Sequence, residues 1–229
     1  MRARAENSER GCYLRPTTMP ASSNPQRALV ILARAPELGR VKTRLAAELG
    51  AAAALAAYRE LGALVVRAVA EVRHCDVVVA FTPADRESAM REWLGTAPRM
   101  EPQREGDLGA RMAAAIAARQ AAGAAKVVVI GTDCPEVNAA VVEDAFARLD
   151  RADAVFGPAS DGGYYLVGVR RPLPALFDRV PWSSPRTLAA TLERAAAEGI
   201  SVALLEELRD IDTAADWRAW QASRAGTGR

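Results

Sequence analysis

Short apolar, β-branched runs recur along the chain at 28–33 (ALVILA), 76–81 (DVVVAF), 126–131 (KVVVIG) and 153–157 (DAVFG). Between them lie alanine-rich stretches at about 43–72, 84–94, 107–122 and 138–150. Strands that are apolar throughout need cover on both faces, and alternation with helices supplies it. The pattern therefore predicts an α/β fold: a mostly parallel central sheet between two helical layers. The alanine clusters, such as 51–57, read as helix because alanine is the strongest helix former. After residue 157 the rhythm changes. YYLVGV (164–169) follows GPASDGG too closely for a helical crossover, which predicts a strand antiparallel to its neighbour. A helix at 184–198, a short strand at 200–205 and a helix at 213–222 complete the pattern.

No internal repeat and no linker interrupts this order, so 28–222 reads as one domain. Residues 1–27 are polar and rich in Pro, Ser and Arg, and read as a disordered extension. Their apolar stretches are too short for a signal peptide, and Met19 stands as an alternative start just ahead of the first strand. Residues 223–229 read as a disordered tail.

Composition narrows the function classes. Hydrophobic residues make up 50% and charged residues 25% of the 229, a soluble globular balance. No apolar run reaches the roughly 18 residues of a membrane helix. A net charge of +2 argues against nucleic acid or a membrane surface as partner. Cys12, Cys75 and Cys134 have no ligand spacing, so neither a disulfide framework nor a zinc site is expected, and a cytoplasmic location fits. The single histidine, His74, leaves no material for a Ser-His-Asp triad or a histidine metal cluster, and reads as structural or exposed. Cations are nearly all arginine, with only two lysines, Lys42 and Lys126.

One of those lysines sits in the stretch ARAPELGRVKTRL (33–45), where Arg34, Arg40, Lys42 and Arg44 crowd around Gly39 with only Glu37 to offset them. The loop leaves the carboxyl end of the first strand, the edge at which open α/β sheets bind ligands. Its cations and the N–H groups near Gly39 suit a polyphosphate, and a solvated basic turn is the plainer reading. In KVVVIGTDCP (126–135) another strand delivers Thr132 and Asp133 to that edge. A carboxylate there can ligate Mg²⁺ or Mn²⁺ beside a substrate phosphate, or it can cap the following helix. GPASDGGYYLVG (157–168) reads as a hairpin turning at Asp161, Gly162 and Gly163, with room beside the glycines for a ligand. In LRDIDTAADW (208–217), one of Asp210, Asp212 and Asp216 caps a helix and the other two stay available.

These segments together resemble the GT-A-fold bacterial proteins described as glycosyltransferase-like relatives of the cofactor guanylyltransferases, often named for arsenosugar biosynthesis. The matching pieces are ARAPELGRVKTRLAAELG, EGDLGARM (105–112), VVVIGTDCPEV, DAVFGPASDGGYYLVGV, PWSSPRT (181–187) and DIDTAADW, spanning about 28 to 217. The resemblance implies a Rossmann-like nucleotide-diphospho-sugar transferase fold, a three-layer sandwich, with Mg²⁺ or Mn²⁺ as cofactor. Asp133 and Asp212 fall on the metal ligands, with the usual D-x-D reduced to T-D-C. Asp161, Gly162 and Gly163 fall on the family's DGG motif, and Asp161 and Lys42 are expected to occupy the catalytic positions. Arg34, Gly39, Arg40, Arg44, Leu108, Gly109, Arg111, Thr132, Gly162, Gly163 and Trp182 fall on the nucleotide- and substrate-binding ones.

The activity so implied is transfer from a nucleotide-activated donor. The family name favours a nucleotide sugar and a small-molecule acceptor. The basic loop resembles that of nucleotidyltransferases, which attack the α-phosphate of a nucleoside triphosphate and release pyrophosphate. A non-catalytic nucleotide-binding module is a third reading, opposed by the joint presence of Lys42, Asp133, Asp161 and Asp212. A dehydrogenase fits less well still, since no G-x-G-x-x-G follows a strand.

Overall fold

Successive residues of a strand point to opposite faces of its sheet, so an all-apolar strand feeds two cores at once. A computed structural model, which describes residues 26–96 and 98–226, shows this division. In chain order the strands are β1 (Arg27–Arg34), β2 (Cys75–Thr82), β3 (Arg99–Pro102), β4 (Lys126–Ile130), β5 (Ala154–Pro158), β6 (Tyr164–Val169) and β7 (Val202–Leu204). The helices are α1 (Thr43–Leu49), α2 (Ala51–Val69), α3 (Glu87–Leu94), α4 (Leu108–Ala121), α5 (Ala139–Arg148), α6 (Thr187–Ala197) and α7 (Ala214–Gly226). Leu29, Ile31, Val128 and Ile130 pack on one face with Val65 and Val69 of α2, Met90 of α3 and Phe146 of α5. Ala28, Val30, Val127 and Val129 pack on the other with Met112 and Ile116 of α4 and Ala195 of α6.

The sheet runs β3-β2-β1-β4-β6-β5-β7. β1 pairs in parallel with both β2 and β4, and β6 is antiparallel to β4 and β5. The expected antiparallel strand is therefore the hairpin partner β6, inserted between β4 and β5. The β1–β4 ladder stops at the Ile31–Ile130 pair, whereas β1 and β2 stay paired as far as Arg34 and Thr82. Two adjacent parallel strands thus part at their carboxyl ends, with α2 on one face and α4 on the other. A crevice opens where an open α/β sheet offers its ligand site.

Several elements differ from the sequence expectation. The helix read at 43–72 is broken at Gly50, whose φ of 85° no other residue takes readily, and it divides into α1 and α2. The stretch 84–94 begins as a 3₁₀ turn (Ala84–Arg86) before α3. β3 was not expected: its sequence, RMEP, is polar and ends in proline, which an edge strand tolerates because one side lacks a ladder. Arg27 is the first residue of β1 and α7 continues to Gly226, so order reaches further at both ends than the composition suggested. The disorder expected for 1–25 and 227–229, and Met19 as a start, lie outside the described residues. No helix among the described residues is long and apolar enough to cross a membrane.

Candidate active site

A cavity of about 400 Å³ opens over the split between β1 and β4. Its lining includes Arg34, Arg40, Lys42, Arg44, Leu108, Arg111, Thr132, Asp133 and Asp212, nine residues from four separate stretches of sequence. Gly39, Gly109, Asp161, Gly162, Gly163 and Trp182 are not part of that lining.

The basic loop is held open toward the cavity. Glu37, its one acid, is taken by Arg86 at 2.5 Å. Among the described residues Arg34, Arg40, Arg44 and Arg111 have no carboxylate partner. Cations left unneutralised around one crevice attract an anion strongly, and phosphate suits the guanidinium fork best. Lys42 behaves differently. It precedes α1 with left-handed backbone angles (φ 46°, ψ 49°), a conformation that costs a non-glycine residue about 1–2 kcal/mol. That turn aims its side chain inward, where only 4% of it is exposed. Its Nζ lies 2.7 Å from Asp133 Oδ1 and donates to Asp212 Oδ1 at 2.8 Å. Burial works to lower the lysine pKa, but the two carboxylates outweigh it and hold the ammonium above its ordinary range. Apart from that ammonium, Asp133 Oδ1 is buried with no donor among the described residues.

Local chemistry places both acids. Asp133 stands three residues past the end of β4, and its carbonyl accepts from Ile211 N at 2.9 Å, which ties the 208–213 segment to the end of that strand. Of the three acids near the C-terminus, Asp216 is the cap. Its Oδ2 accepts from Thr213 N (2.9 Å) and Thr213 Oγ1 (2.7 Å), while Asp216 N donates to Thr213 Oγ1 (3.2 Å). Asp212, just ahead of the cap, is left facing Lys42. Asp210 is half-buried beside this group, and burial, then Asp133, Asp161 and Asp212, push its carboxyl up to about 7.

Two carboxylates and substrate phosphates are a sufficient set for Mg²⁺ or Mn²⁺, which prefer oxygen and retain waters. A buried Asp133 Oδ1 whose one partner among the described residues is a cation, and a cation already drawn between the two acids, fit a divalent ion at this place. Among the described residues no group of three or more His, Cys, Asp or Glu is placed to hold a metal ion.

The remaining sequence candidates form the rim. Asp107 caps α4 by accepting from Ala110 N at 2.8 Å, and this sets Leu108 and Arg111 against the cavity. Gly109 is required by contact: a Cβ there would run into the Trp182 indole, which lies on the first turn of α4. In the β5–β6 hairpin Asp161 is exposed and its Oδ1 accepts from Gly163 N at 2.8 Å. Gly162 has φ 87°, and a side chain on it would strike the Pro185 carbonyl, so the hairpin tip and the PWSSPRT segment are fitted together.

Among the lining residues not singled out from sequence are Tyr58, Gln103 and Thr82. The Tyr58 hydroxyl accepts from Arg34 N (2.9 Å) and donates to Arg34 O (2.8 Å), fixing the last peptide of β1 where β4 has left it. Gln103 Nε2 donates to Ala33 O (3.1 Å) and Ala80 O (2.7 Å), which binds the exits of β1 and β2 together. Thr82 ends β2 at the same edge. A tyrosine on a helical face and a glutamine after an edge strand carry no local signal; only the opening of the sheet gives them a task.

A family model described as an uncharacterized protein conserved in bacteria (DUF2064) matches residues 65–184, more than half of the chain. The chain belongs to that family. The DUF2064 protein also matches a solved structure of a candidate nucleotide-diphospho-sugar transferase from Desulfovibrio desulfuricans G20. The two are 30% identical over 89% of each chain, with a TM-score of 0.83. Two structures of much lower identity share the fold. One is CMP:2-keto-3-deoxy-manno-octonic acid synthetase complexed with CTP, 13% identical over 88% of this chain and 99% of that one, with a TM-score of 0.58. The other is Rv0371c of Mycobacterium tuberculosis H37Rv in complex with manganese, 16% identical over 86% and 99%, with a TM-score of 0.53. No curated protein sequence matches the DUF2064 protein closely enough to count as a relative. The expected fold is the observed one: a nucleotide-diphospho-sugar transferase α/β sandwich of the GT-A type.

Proposed function

We propose that this protein is a divalent-metal-dependent transferase that takes a nucleotide sugar as donor and a small molecule as acceptor. The observation that carries the proposal is the meeting of Lys42, Asp133 and Asp212 at the parting of β1 and β4, with unpaired arginines on the facing loop. Asp133 and Asp212 would hold the cation, which when bound neutralises charge on the donor's diphosphate. Arg34, Arg40, Arg44 and Arg111 hold the phosphate oxygens, and Gly39 lets the loop backbone turn close to them. Leu108 and Thr132 pack against the nucleotide. Asp161, with Gly162 and Gly163 leaving room beside it and Trp182 forming the neighbouring wall, stands on the acceptor side. A carboxylate there accepts the proton of an attacking hydroxyl, a task for which no histidine is present nearby. The likeness to the Desulfovibrio protein supports the nucleotide-sugar reading.

The unneutralised basic loop favours a second reading, nucleotidyl transfer, in which more charge develops on the phosphates. A product assay separates the two. The protein is incubated with metal and an acceptor extract, first with a panel of nucleotide sugars and then with nucleoside triphosphates. Release of nucleoside diphosphate from a nucleotide sugar supports glycosyl transfer. Pyrophosphate released from a triphosphate assigns the protein to the second class.

A further inference from the structure

The two acids read as metal ligands already have a cation between them, and it belongs to the chain. Lys42 is almost wholly buried, with 4% of its side chain exposed, whereas Asp133 and Asp212 are 45% and 36% exposed. The ammonium therefore lies beneath the carboxylates, which reach water on their outer side. It is ion-paired, whereas the loop arginines that line the same cavity have no carboxylate partner among the described residues. A lysine held in this way is not a free hand for phosphate.

We propose that Lys42 is the built-in counter-ion of the metal site, which a divalent cation opposes when it arrives alone and which substrate phosphates draw away when they arrive with it. This inference rests on the metal-dependent reading above and deepens it. The physical reasoning is a balance of charges. With Lys42 in place, the paired carboxylates are half neutralised and held at a spacing set by one nitrogen. A divalent ion then meets a weaker field and the repulsion of the ammonium. Phosphate oxygens offer Lys42 a replacement for the contacts it gives up, and they give the metal further oxygen ligands. Metal and nucleotide should thus bind together far better than either does alone, a reciprocal coupling. Without the ammonium, two like charges confront each other and a bare divalent ion relieves them.

The test is Mn²⁺ binding followed by the electron paramagnetic resonance of free Mn²⁺, with no turnover required. Wild type is expected to bind Mn²⁺ weakly alone and more tightly with UDP, CDP or GDP. Lys42→Met is expected to bind bare Mn²⁺ roughly tenfold or more tightly than wild type, about the loss of one charge-assisted contact. Its enhancement by nucleotide should shrink. The double variant Lys42→Met, Asp133→Asn should lose the gain, which locates it at this pair. If Lys42→Met fails to fold by circular dichroism, Lys42→Gln carries the same comparison. Bare Mn²⁺ binding that is no tighter in the variant overturns the counter-ion role, while nucleotide-supported Mn²⁺ binding by wild type would leave the metal-dependent reading standing. Absence of Mn²⁺ binding under every condition overturns both.

Discussion

Two charge clusters sit at opposite ends of the sheet, and each sets one charge between two of opposite sign. At the carboxyl end of the parallel strands, Lys42 lies between Asp133 and Asp212. At the other end, Asp153 lies between Arg170 and Arg171 and also accepts from Ser201 N and Oγ. The second cluster is saturated: both carboxylate oxygens have directed donors, and the guanidiniums that hold them are at the surface. It ties the start of β5, the exit of β6 and the turn before β7 together. The first cluster leaves a buried oxygen with the ammonium as its one partner, keeps its cation in a left-handed backbone and faces a cavity whose arginines have no carboxylate partner among the described residues. Similar charges make a clamp in one place and a receptive site in the other. What differs is how many bonds are left to be made.

Changes at the receptive end should strike function and leave the fold nearly untouched. The largest effect is expected from Asp161→Asn. The amide keeps the turn to Gly163, since asparagine serves such turns as well as aspartate. Turnover should fall by roughly 10²–10⁴-fold, while nucleotide affinity and melting temperature stay near wild type. Unchanged turnover would remove Asp161 from the chemistry and leave it a turn residue. Asp133→Ala should weaken metal-supported nucleotide binding by about a hundredfold or more, as read by calorimetry with Mg²⁺ and Mn²⁺. Equal binding in that variant would dissolve the contrast between the two clusters.

With Mg²⁺ or Mn²⁺ present, Lys42→Ala should weaken nucleotide binding by ~1.5–3 kcal/mol, the worth of the hydrogen bond to phosphate that Lys42 takes up once it leaves the two acids. Lys42→Arg should restore only part of it, because a forked guanidinium does not replace a compact ammonium between two oxygens. Gly109→Ala probes the rim in a different way. The added methyl meets the Trp182 indole, so unfolding in urea should show a loss of about 1–3 kcal/mol from overpacking.

The smallest effect belongs to the saturated clamp, and it is one of stability alone. Hydrogen bonds from Arg171 first, then Ser201 and Arg170, hold the Asp153 carboxyl well below its usual range. A group whose pKa is depressed by folding contributes stability above its unfolded value, near 4, and loses that contribution as the pH falls toward the folded value. Asp153→Asn should therefore melt a few degrees below wild type at neutral pH, and the two curves should begin to converge only as the pH falls below about 4. Nucleotide binding should not change. A variant that binds nucleotide more weakly would show that the two ends of the sheet are coupled.

Much of this was legible in the chain itself. Apolar runs at 28–33, 76–81 and 126–131 are buried on both faces whatever surrounds them, because continuous Val, Leu and Ile leave no polar edge. They announced a covered parallel sheet. The short interval before 164–169 announced the reversal at β6. The crowd of cations around Gly39, Asp133 at a strand end and the Thr213-to-Asp216 capping pattern were visible for the same reason: each is a local signal whose chemistry depends on near neighbours in sequence.

Other features had no local signal. RMEP becomes a strand only because β2 offers it an edge. Tyr58 and Gln103 acquire a role only where β1 and β4 part, a point set by strand order and not by either strand's own residues. The pairing of Lys42 with Asp212 joins positions 170 residues apart. The sequence determined which residues could be buried and which carried charge. The tertiary structure alone decided that the one lysine of the basic loop would be buried against two acids while its neighbouring arginines kept no carboxylate partner, because burial, backbone angle and ion pairing are settled together only when distant segments meet.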